Sequence, residues 1–351
     1  MMAVFTHPEF DGHEQVVFFR EPAANLTAII AVHNTVRGPA LGGCRMYPYA
    51  SEEEALRDVL RLSRGMTYKS AISRLPMGGG KSVLIGDPVR DKTPALLQAF
   101  GRCLERMNGR YIVAEDSGTT VEDIRLMASE TAHVSGIAER PMPEGGVADG
   151  DPSPATAWGV YAGMRAAARL ELGRDSLRGL RIGVQGVGAV GSRLVAHLAR
   201  AGAQIFISDV AQRRVDETAR RHPVTPVAPA EIYDLELDIL APCGFGAVLN
   251  DLTIPRLKTR IVAGAANNQL ATAEDAASLH ERGVVYVPDF AVNAGGVIDI
   301  AGQRADLDYA ESMRQVERIF DTVTEIIQRS RKLGIDTNQV ALRMAEANLK
   351  G

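Results

Sequence analysis

The chain has 351 residues, and at roughly 150 residues per domain this length predicts about two domains. Its 39 lysines and arginines nearly balance 43 aspartates and glutamates, and a net charge of −4 is too close to neutral for a surface that binds nucleic acid or an anionic membrane. With 46% hydrophobic and 23% charged residues, the composition is that of a globular protein and excludes a disordered or fibrous chain. We therefore expect a small molecule as the partner.

The N-terminal residues contain histidines and acidic residues where a signal peptide needs an apolar core, and no apolar run reaches about 18 residues. We expect neither an export signal nor a membrane span. Cys44, Cys103 and Cys243 are too few and too scattered for a disulfide framework or a metal knuckle. The expected setting is a reducing cytoplasm, and no bound metal is predicted.

The first part of the chain mixes strand and helix patterns. Ser51 and Glu54 form a capping box, and the apolar residues that follow recur at helical spacing up to Gly65, where the helix is expected to end. Other patterns predict strands at Val16–Phe19, Ala28–Val32 and Tyr111–Ala114, and helices at Pro94–Met107 and from Thr120. We therefore predict a mixed α/β domain over residues 1–140.

Prolines and glycines concentrate between Glu139 and Pro154, which we interpret as the connection between domains. Beyond it, strands alternate with helices, a pattern typical of a parallel, doubly wound sheet, here over residues 150–334. Strands are predicted at Leu180–Gln185, Gln204–Ser208, Leu237–Leu240, Arg260–Ala263 and Val284–Val287, and helices at Ala155–Leu172, from Ala189, and at Glu274–Arg282, Asp308–Leu333 and Asp336–Leu349. The predicted fold class is α/β with two domains and an active-site cleft between them, and a last helix around residues 335–351 is expected to pack back on the first domain.

A glycine-rich turn indicates a dinucleotide site. Gly186-Val187-Gly188-Ala189-Val190-Gly191 follows a predicted strand directly and begins a helix, which is the context of a Rossmann GxGxxG motif. The first glycine permits the tight turn, the second lets the backbone approach a pyrophosphate, and the third lets the helix pack on the strand. The helix N-terminus offers free N–H groups to the anion. The alternative is a glycine-rich turn that binds nothing.

Asp209 ends the next predicted strand, 23 residues after Gly186. A carboxylate there accepts hydrogen bonds from the adenosine ribose hydroxyls and repels a 2′-phosphate, which favours NAD over NADP. Arg213 and Arg214 follow closely and would favour NADP. We therefore predict a Rossmann-type NAD-binding domain, with an ordinary strand-end carboxylate as the alternative for Asp209.

Lysine is scarce, and two lysines lie beside small residues in the first domain. The glycines of Met77-Gly78-Gly79-Gly80-Lys81 let a ligand reach the lysine and let the backbone wrap tightly. In such a confined site, desolvation and a neighbouring cation are expected to lower the pKa of Lys81. Lys69 lies in Met66-Thr67-Tyr68-Lys69. For both residues a solvated surface lysine is the alternative.

Other polar features follow predicted strands or lie in glycine pairs. Asp116 is a candidate acid, unless it only caps the next helix. Gly42 and Gly43 offer backbone N–H groups that suit a carboxylate, unless they form a plain turn. Asn267 and Asn293 follow predicted strands of the second domain, at the edge where open parallel sheets bind ligands.

Together these motifs resemble the amino-acid dehydrogenases of the glutamate, leucine, valine and phenylalanine dehydrogenase family, over nearly the whole chain. The resemblance is carried by Gly38–Gly43, Met77–Lys81, Ala114–Asp116, Asp151–Ala157, Ala241–Cys243, Gly264–Asn268, Pro288–Phe290 and Asn293–Gly296. Asp151–Ala157 looks more like leucine dehydrogenases than like phenylalanine dehydrogenases. The resemblance implies reversible oxidative deamination of an L-amino acid to the 2-oxo acid and ammonia with NAD or NADP. It also implies a homo-oligomer, because most members self-associate.

The resemblance also implies a role for each site residue. Lys69 would bind the substrate carboxylate with the Gly42–Gly43 backbone, and Lys81 would be the general acid/base acting through a water. Asp116 would handle protons of the amino group and the carbinolamine. Asn293 and Asn267 would hold the substrate or the nicotinamide ribose, Thr156 the nicotinamide amide, and Cys243 and Ala265 would line the nucleotide cleft.

The resemblance also implies which residues select among amino acids, because four positions resemble the side-chain pocket of the family. These are Leu41, Ala114, Val297 and Ile300, and all four are apolar. Burial of an unpaired substrate carboxylate among them would cost several kcal/mol, so glutamate is disfavoured. The sizes of the four side chains favour Leu, Val or Ile, with an aromatic amino acid, Phe or Trp, as the alternative.

Two other function classes stay open. A non-catalytic NAD-binding sensor protein would have no reason to keep Lys69, Lys81 and Asp116 together. A hydroxy-acid dehydrogenase would need a histidine paired with a carboxylate, and none of the seven histidines lies in a recognisable setting of that kind.

Overall fold

A computed structural model describes residues 4–244 and 246–350. The chain forms two compact units. Unit one comprises Met1–Asp151, Val297–Ser312 and Ala345–Gly351, and unit two comprises Pro152–Gly296 and Met313–Met344. No helix in the described ranges is both long and apolar enough to cross a bilayer.

Unit one contains a mixed sheet. Its strands are β1 (Gln15–Glu21), β2 (Leu26–Asn34), β3 (Ala40–Tyr47), β4 (Gly78–Ile85) and β5 (Tyr111–Glu115), in the order β1-β2-β4-β3-β5. The β1–β2 and β2–β4 pairs are antiparallel, whereas β3 pairs in parallel with both β4 and β5. The predicted strands that correspond to β1, β2 and β5 are confirmed. Further along, β6 (Arg140–Pro141) and β7 (Val147–Ala148) form a small antiparallel pair.

Two central strands of this sheet, β3 and β4, are rich in glycine. The plain turn that the sequence allowed at Gly42–Gly43 does not form, and Lys81, expected where the backbone wraps tightly, extends from within β4 instead. A Cβ on Gly42 would lie 1.8 Å from the carbonyl oxygen of Gly80, and one on Gly80 would lie 2.7 Å from the Tyr111 ring. Because the neighbouring strands approach this closely, only glycine fits at these positions.

The helices of unit one begin as the sequence predicts. They are α1 (Glu52–Ile72), α2 (Pro94–Glu105) and α3 (Val121–Ala128). The Ser51 side chain accepts a hydrogen bond from the Glu54 amide, which confirms the predicted N-cap. The predicted end at Gly65 is wrong, because α1 continues to Ile72. Its last turns bury Thr67 and Ile72 among others, and this packing outweighs the roughly 1 kcal/mol cost of a glycine inside a helix.

The core of unit one lies between the sheet and its helices. Buried side chains from β2, β3, β5, α2 and α3 pack together, with Phe100 and Tyr111 the largest of them. Helix α3 begins at the predicted position, and Thr120 caps it through a reciprocal capping box with Asp123. The C-terminal side of β5 and the start of α3 are thereby fixed on either side of Asp116.

Unit two contains the predicted parallel sheet. Its strands are β8 (Arg181–Gln185), β9 (Gln204–Ser208), β10 (Val224–Pro226), β11 (Glu236–Pro242), β12 (Lys258–Val262) and β13 (Val285–Tyr286), in the order β10-β9-β8-β11-β12-β13. Every pair in this order is parallel. The doubly wound α/β class is therefore confirmed.

The remaining helices follow the strands. They are α4 (Ser153–Leu172), α5 (Ala189–Ala201), α6 (Gln212–Arg221), α7 (Glu274–Glu281), α8 (Asp289–Val292), α9 (Gly295–Arg304), α10 (Tyr309–Glu317), α11 (Ile319–Leu333) and α12 (Thr337–Lys350). The predicted stretch Asp308–Leu333 is two helices, α10 and α11, interrupted at Arg318. Helices α6 and α9 were not predicted from the sequence. In unit one, Asn348 of α12 donates from Nδ2 to the carbonyl oxygen of Ala71 at 3.0 Å.

Candidate active site

Lys81 and Asp116 are in direct contact in unit one. Lys81 extends from β4 and Asp116 follows β5, with β3 between these strands in the sheet. The Nζ of Lys81 lies 2.6 Å from Oδ2 of Asp116. Gly43 on β3 makes room for the contact, because a Cβ there would lie 2.6 Å from the Asp116 Cβ and 3.1 Å from the Lys81 Nζ. The structure thus brings three of the predicted site residues together.

Arg45 brings a second positive charge to Asp116. Its Nε donates to Oδ2 of Asp116 at 3.2 Å, and its Nη1 donates to Oδ2 of Asp58 at 3.1 Å. The Tyr49 hydroxyl donates to the same Asp58 oxygen at 2.6 Å. No role was predicted from the sequence for Arg45, Asp58 or Tyr49. The spacing of Gly43 and Arg45, two residues apart on one strand and so on one face, was the available signal.

These charges determine the protonation of Asp116. Burial raises the pKa of this carboxyl, but the positive charges of Lys81 and Arg45 outweigh burial and hold the pKa well below its ordinary value. Asp116 is therefore ionised at neutral pH. Arg45 and Lys81 both contact the same carboxylate oxygen of Asp116. The group in direct contact with the Lys81 Nζ is therefore this carboxylate.

Lys69 lies in the last turn of α1, and its carbonyl oxygen accepts a hydrogen bond from the Ser73 amide. The same end of α1 packs tightly against β4, since a Cβ on Gly79 would lie 2.0 Å from the Thr67 amide nitrogen. Lys69 and Lys81 are thus carried by two elements that are in contact.

The four residues predicted to form a side-chain pocket are all buried in unit one. Leu41 lies on β3, Ala114 on β5, and Val297 and Ile300 on α9, with exposed fractions of 1%, 2%, 7% and 7%. Gly136 connects two of them, because a Cβ there would lie 3.5 Å from Cγ1 of Ile300 and 3.7 Å from the Cβ of Ala114. Gly136 was not identified from the sequence, because α9 and its place beside β5 were not predicted.

The three glycines of the dinucleotide turn differ in their surroundings. Gly186 has a φ of +96°, and a Cβ there would lie 2.5 Å from the Gly244 nitrogen. A Cβ on Gly191 would lie 2.0 Å from the carbonyl oxygen of Gly186. The fold itself therefore requires both. The nearest atom to a Cβ on Gly188 is Nη1 of Arg214 at 3.9 Å, so open space remains there for a ligand.

Helix α5 begins at Ala189, directly after this open position, and its first turn also contains Val190 and Gly191. Its N-cap residue, Gly188, provides no side-chain hydrogen bond to the first turn. The N–H groups of that turn therefore suit an anion. Cys243 lies behind the turn, with its amide donating to the Gln185 carbonyl oxygen at 2.7 Å, and burial raises the pKa of its thiol to about 12.

Asp209 lies against the glycine-rich turn. Its Oδ2 accepts a hydrogen bond from the Val187 amide at 2.9 Å, and its Oδ1 accepts one from the Ala211 amide at 2.9 Å. The side chain is only 5% exposed, and Nη1 of Arg214 lies 3.9 Å from its Oδ2. Arg213 is 89% exposed and pairs with Glu217. Of the two arginines, only Arg214 approaches the predicted ribose-binding carboxylate.

Asn293, Asn267 and Ala265 form a contact cluster in unit two. The Nδ2 of Asn293 donates to the Ala265 carbonyl oxygen at 3.0 Å and to Oδ1 of Asn267 at 2.9 Å. Thr156, near the start of α4, faces the start of α9, since a Cβ on Gly296 would lie 2.6 Å from its Oγ1. These four predicted residues therefore occupy the two segments that follow β12 and β13 and the start of α4.

Several polar atoms at this end of the sheet are buried without partners. Within residues 4–244 and 246–350, Oδ1 of Asn293, Oε1 of Gln185 and Oγ of Ser208 have no hydrogen-bond partner. Gln185 and Ser208 end β8 and β9. Unpaired buried acceptors are uncommon, and the carboxyl ends of parallel strands are where such sheets bind ligands. The N–H groups in the first turn of α5, these unpaired oxygens and the open position at Gly188 fit a dinucleotide.

Comparison with known proteins gives consistent matches. Residues 13–133 match the family "Glu/Leu/Phe/Val dehydrogenase, dimerisation domain", and residues 206–341 match "Glutamate/Leucine/Phenylalanine/Valine dehydrogenase". The leucine dehydrogenase of Geobacillus stearothermophilus is 46% identical over 349 residues, covering 99% of this chain and 94% of that protein. The valine dehydrogenase of Streptomyces virginiae is 46% identical over 346 residues, covering 98% and 95%. The crystal structure of L-tryptophan dehydrogenase from Nostoc punctiforme matches with a TM-score of 0.79 at 40% identity, covering 97% of this chain and 96% of that one.

Proposed function

The chain belongs to the Glu/Leu/Phe/Val dehydrogenase family, and from this premise we propose that it oxidatively deaminates an apolar L-amino acid, reversibly and with NAD. The products are the 2-oxo acid and ammonia, and Leu, Val or Ile is the preferred substrate. The observation that carries the proposal is the 2.6 Å contact between Lys81 and Asp116. This contact places a proton donor and a carboxylate side by side, and deamination of a carbinolamine needs both.

Lys81 and Asp116 would share the proton transfers. Asp116, kept ionised by Lys81 and Arg45, would first accept hydrogen bonds from the substrate ammonium. Lys81 would then pass its proton to Asp116 and, as the neutral amine, take the proton released by the water that adds to the imine carbon. It would return that proton to the amino nitrogen as ammonia leaves, and take one from the carbinolamine hydroxyl as the 2-oxo acid forms. Because the two groups are within hydrogen-bond distance, a proton can pass between them without an intervening water.

Lys69 and the backbone at Gly42 and Gly43 would hold the substrate carboxylate. Support comes from the packing of the end of α1 on β4, which places Lys69 on the helix next to the strand of Lys81. The Tyr111 hydroxyl donates to the carbonyl oxygens of Gly42 and Gly43 at 3.0 and 3.1 Å. These two hydrogen bonds fix the position of the glycine pair.

The substrate side chain would contact Leu41, Ala114, Val297 and Ile300. These residues are buried and apolar, so burial of an apolar substrate side chain against them is favourable, whereas a second carboxylate would be left unpaired. An aromatic amino acid, Phe or Trp, is the second candidate. Gly136 supports it, because the absence of a side chain there leaves space beside Ile300 and Ala114.

Unit two would bind the dinucleotide, and dehydrogenases of this family typically use NAD or NADP. When bound, the nicotinamide supplies the acceptor for the hydride from Cα. Gly186, Gly188 and Gly191, with the first-turn amides of Ala189 and Val190, would hold the pyrophosphate. Asn293 and Asn267 would hold the substrate or the nicotinamide ribose, and Thr156 would hold the nicotinamide amide. Cys243 and Ala265 would line the nucleotide cleft.

NAD is proposed over NADP because of Asp209. Its buried charge beside the glycine-rich turn opposes a 2′-phosphate, although Arg214 at 3.9 Å offsets part of it. We further propose a homo-oligomer located in the cytoplasm. The match of residues 13–133 to a dimerisation domain supports the self-association.

The experiment that tests the proposal uses L-leucine with deuterium at Cα. The purified protein should reduce NAD, release one ammonia per NAD reduced, and transfer the deuterium to the reduced dinucleotide. D-leucine and 2-hydroxy-4-methylpentanoate serve as controls and should give no reduction. NAD reduction without ammonia, or ammonia without the label in the dinucleotide, would contradict the proposal.

A further inference from the structure

A loop of unit one runs from β5 towards helix α9 and carries Gly136. Its start is fixed on β5, because the Ser135 amide donates to the Val113 carbonyl oxygen at 2.8 Å. Its far end is Arg140, in the small strand β6. We call residues 135–140 the pocket loop, because a Cβ on its Gly136 would lie within 4 Å of both Ala114 and Ile300.

The pocket loop is attached to α9 by a set of directional contacts. The Ser135 Oγ donates to the Ile300 carbonyl oxygen at 3.0 Å, and the Ala138 amide donates to Oε1 of Gln303 at 3.1 Å. Arg140 donates from Nη2 to Oδ1 of Asp299 at 2.6 Å. The second oxygen of Asp299 accepts from Nε2 of Gln303 at 3.1 Å. Both carboxylate oxygens of Asp299 are thus engaged.

The Arg140–Asp299 pair is deeply buried. Its side chains are 9% and 3% exposed, Nη1 of Arg140 donates to the Ser312 hydroxyl at 2.9 Å, and the guanidinium lies 5.6 Å from the centre of the Tyr309 ring. The Nε of Arg140 has no partner among the residues that the structure describes. Buried ion pairs of this kind add little net stability compared with apolar residues of similar size. Stability alone therefore does not explain why a charged pair stands here.

Its place in the chain suggests another role. Asp299 is adjacent to Ile300 and two residues from Val297, so the pair fixes the turn of α9 that carries both pocket residues. At the opposite end of the contact, Arg140 is four residues from Gly136, where a Cβ would lie 3.5 Å from Cγ1 of Ile300. A shift of α9 against the pocket loop would change the distance between Ile300 and Ala114.

We propose that Arg140 and Asp299 are positioning residues for substrate selectivity, which hold α9 against the pocket loop and so set the depth of the apolar side-chain pocket. The inference rests on the proposed function, because it assigns how that site chooses among apolar amino acids. It adds no group to the chemistry. The pair acts through Ile300, and its loss is expected to widen the range of accepted side chains.

The test compares kcat/KM for L-leucine, L-valine and L-phenylalanine in three variants. Asp299→Asn removes one charge, Arg140→Gln with Asp299→Asn removes both and leaves no uncompensated charge, and Ser135→Ala removes one hydrogen bond to Ile300. The matched control is Arg165→Gln with Glu317→Gln, which removes an ion pair of 2.8 Å from unit two. Folding is checked by circular dichroism and by the KM for NAD.

The phenylalanine-to-leucine ratio of kcat/KM should rise by about fivefold or more in the Asp299→Asn variant and in the double variant, with a smaller rise for Ser135→Ala. The control should keep the ratio of the parent protein. A merely structural role would lower all three values of kcat/KM together. If the parent protein is active and the folded variants keep its ratio, the inference is overturned but the proposed function is not. A parent protein inactive with every apolar amino acid would overturn the proposed function as well.

Discussion

The ammonium of Lys81 and the carboxylate of Asp116 lie 2.6 Å apart, although β3 separates their strands in the sheet. Gly43 on β3 has no side chain to intervene, and a Cβ there would contact both groups. The two charges compensate each other in a site where the side chains are only 7% and 18% exposed. This pair is the centre of the chemistry that we propose.

Replacement of Lys81 by Met should lower turnover at least about a hundredfold, the usual worth of a positioned acid or base. The affinity for NAD should not change, because the predicted dinucleotide turn does not include this residue. Lys92→Met is the matched control, since Lys92 makes a 2.6 Å ion pair with Asp123 in the same unit. Steady-state kinetics and NAD titration make the measurement. A loss of less than about tenfold for Lys81→Met would remove it from the acid/base role.

The glycines of the dinucleotide turn offer a test that separates binding from folding. Gly188 has a φ of −72° and open space beside it, so Gly188→Ala should fold and keep its melting temperature. A methyl group there would obstruct the approach of a pyrophosphate, and NAD binding should weaken by about 1–3 kcal/mol. Gly191→Ala is the contrasting variant and should unfold at lower temperature, since its Cβ would lie 2.0 Å from the Gly186 oxygen. Unimpaired NAD binding by Gly188→Ala in calorimetry would contradict the assignment.

The two halves of the fold differ in how far sequence could predict them. The strand–turn–helix around Gly186 is a local pattern, so the motif, its strand and the start of α5 were predicted correctly. The strands β3 and β4 were missed because glycine has a low preference for strands. Their glycines are required by contacts between distant segments, such as Gly42 with Gly80, which one sequence does not reveal.

The candidate site divides in the same way. Lys81, Asp116 and Gly43 were singled out by residue type and spacing, but their contact depends on the strand order β4-β3-β5, which periodicity does not specify. Gly136 and the Arg140–Asp299 pair were missed because α9 reaches the pocket loop only in the folded chain. Gly65 shows the opposite failure, in which tertiary packing overrides a local helix signal.

His33 should make stability depend on pH. Burial lowers its pKa from 6.5 to about 4, and its Nδ1 and Nε2 contact the Thr67 hydroxyl and the Asp11 carbonyl oxygen at 2.8 and 3.0 Å. The folded state therefore favours neutral His33, and this contribution is complete above pH 6.5 and is lost as the pH falls towards 4. Between about pH 7 and pH 5, the free energy of unfolding should fall by about 2 kcal/mol more in the parent protein than in His33→Gln. Urea unfolding at both pH values measures this, and equal pH dependence in the two proteins would contradict it.

The side-chain pocket predicts a change of preference on enlargement. Ile300→Ala should raise the ratio of kcat/KM for Phe to that for Leu. The change in discrimination should be about 1–3 kcal/mol, the range for small apolar groups in such pockets. Ala114→Leu should favour smaller substrates instead. The control is Ile30→Ala, which truncates a fully buried side chain of the β2 core. If both pocket variants keep the Phe-to-Leu ratio of the parent, then selectivity comes from other residues.

The most direct test of the account is the set of kcat/KM values of the unmodified protein with NAD for L-leucine, L-valine, L-isoleucine, L-phenylalanine, L-tryptophan and L-glutamate. The branched-chain amino acids should give the highest values. Glutamate should give essentially none, because Leu41, Ala114, Val297 and Ile300 offer no cation to balance a second carboxylate. A preference for glutamate, or no NAD reduction with any of the six, would contradict it.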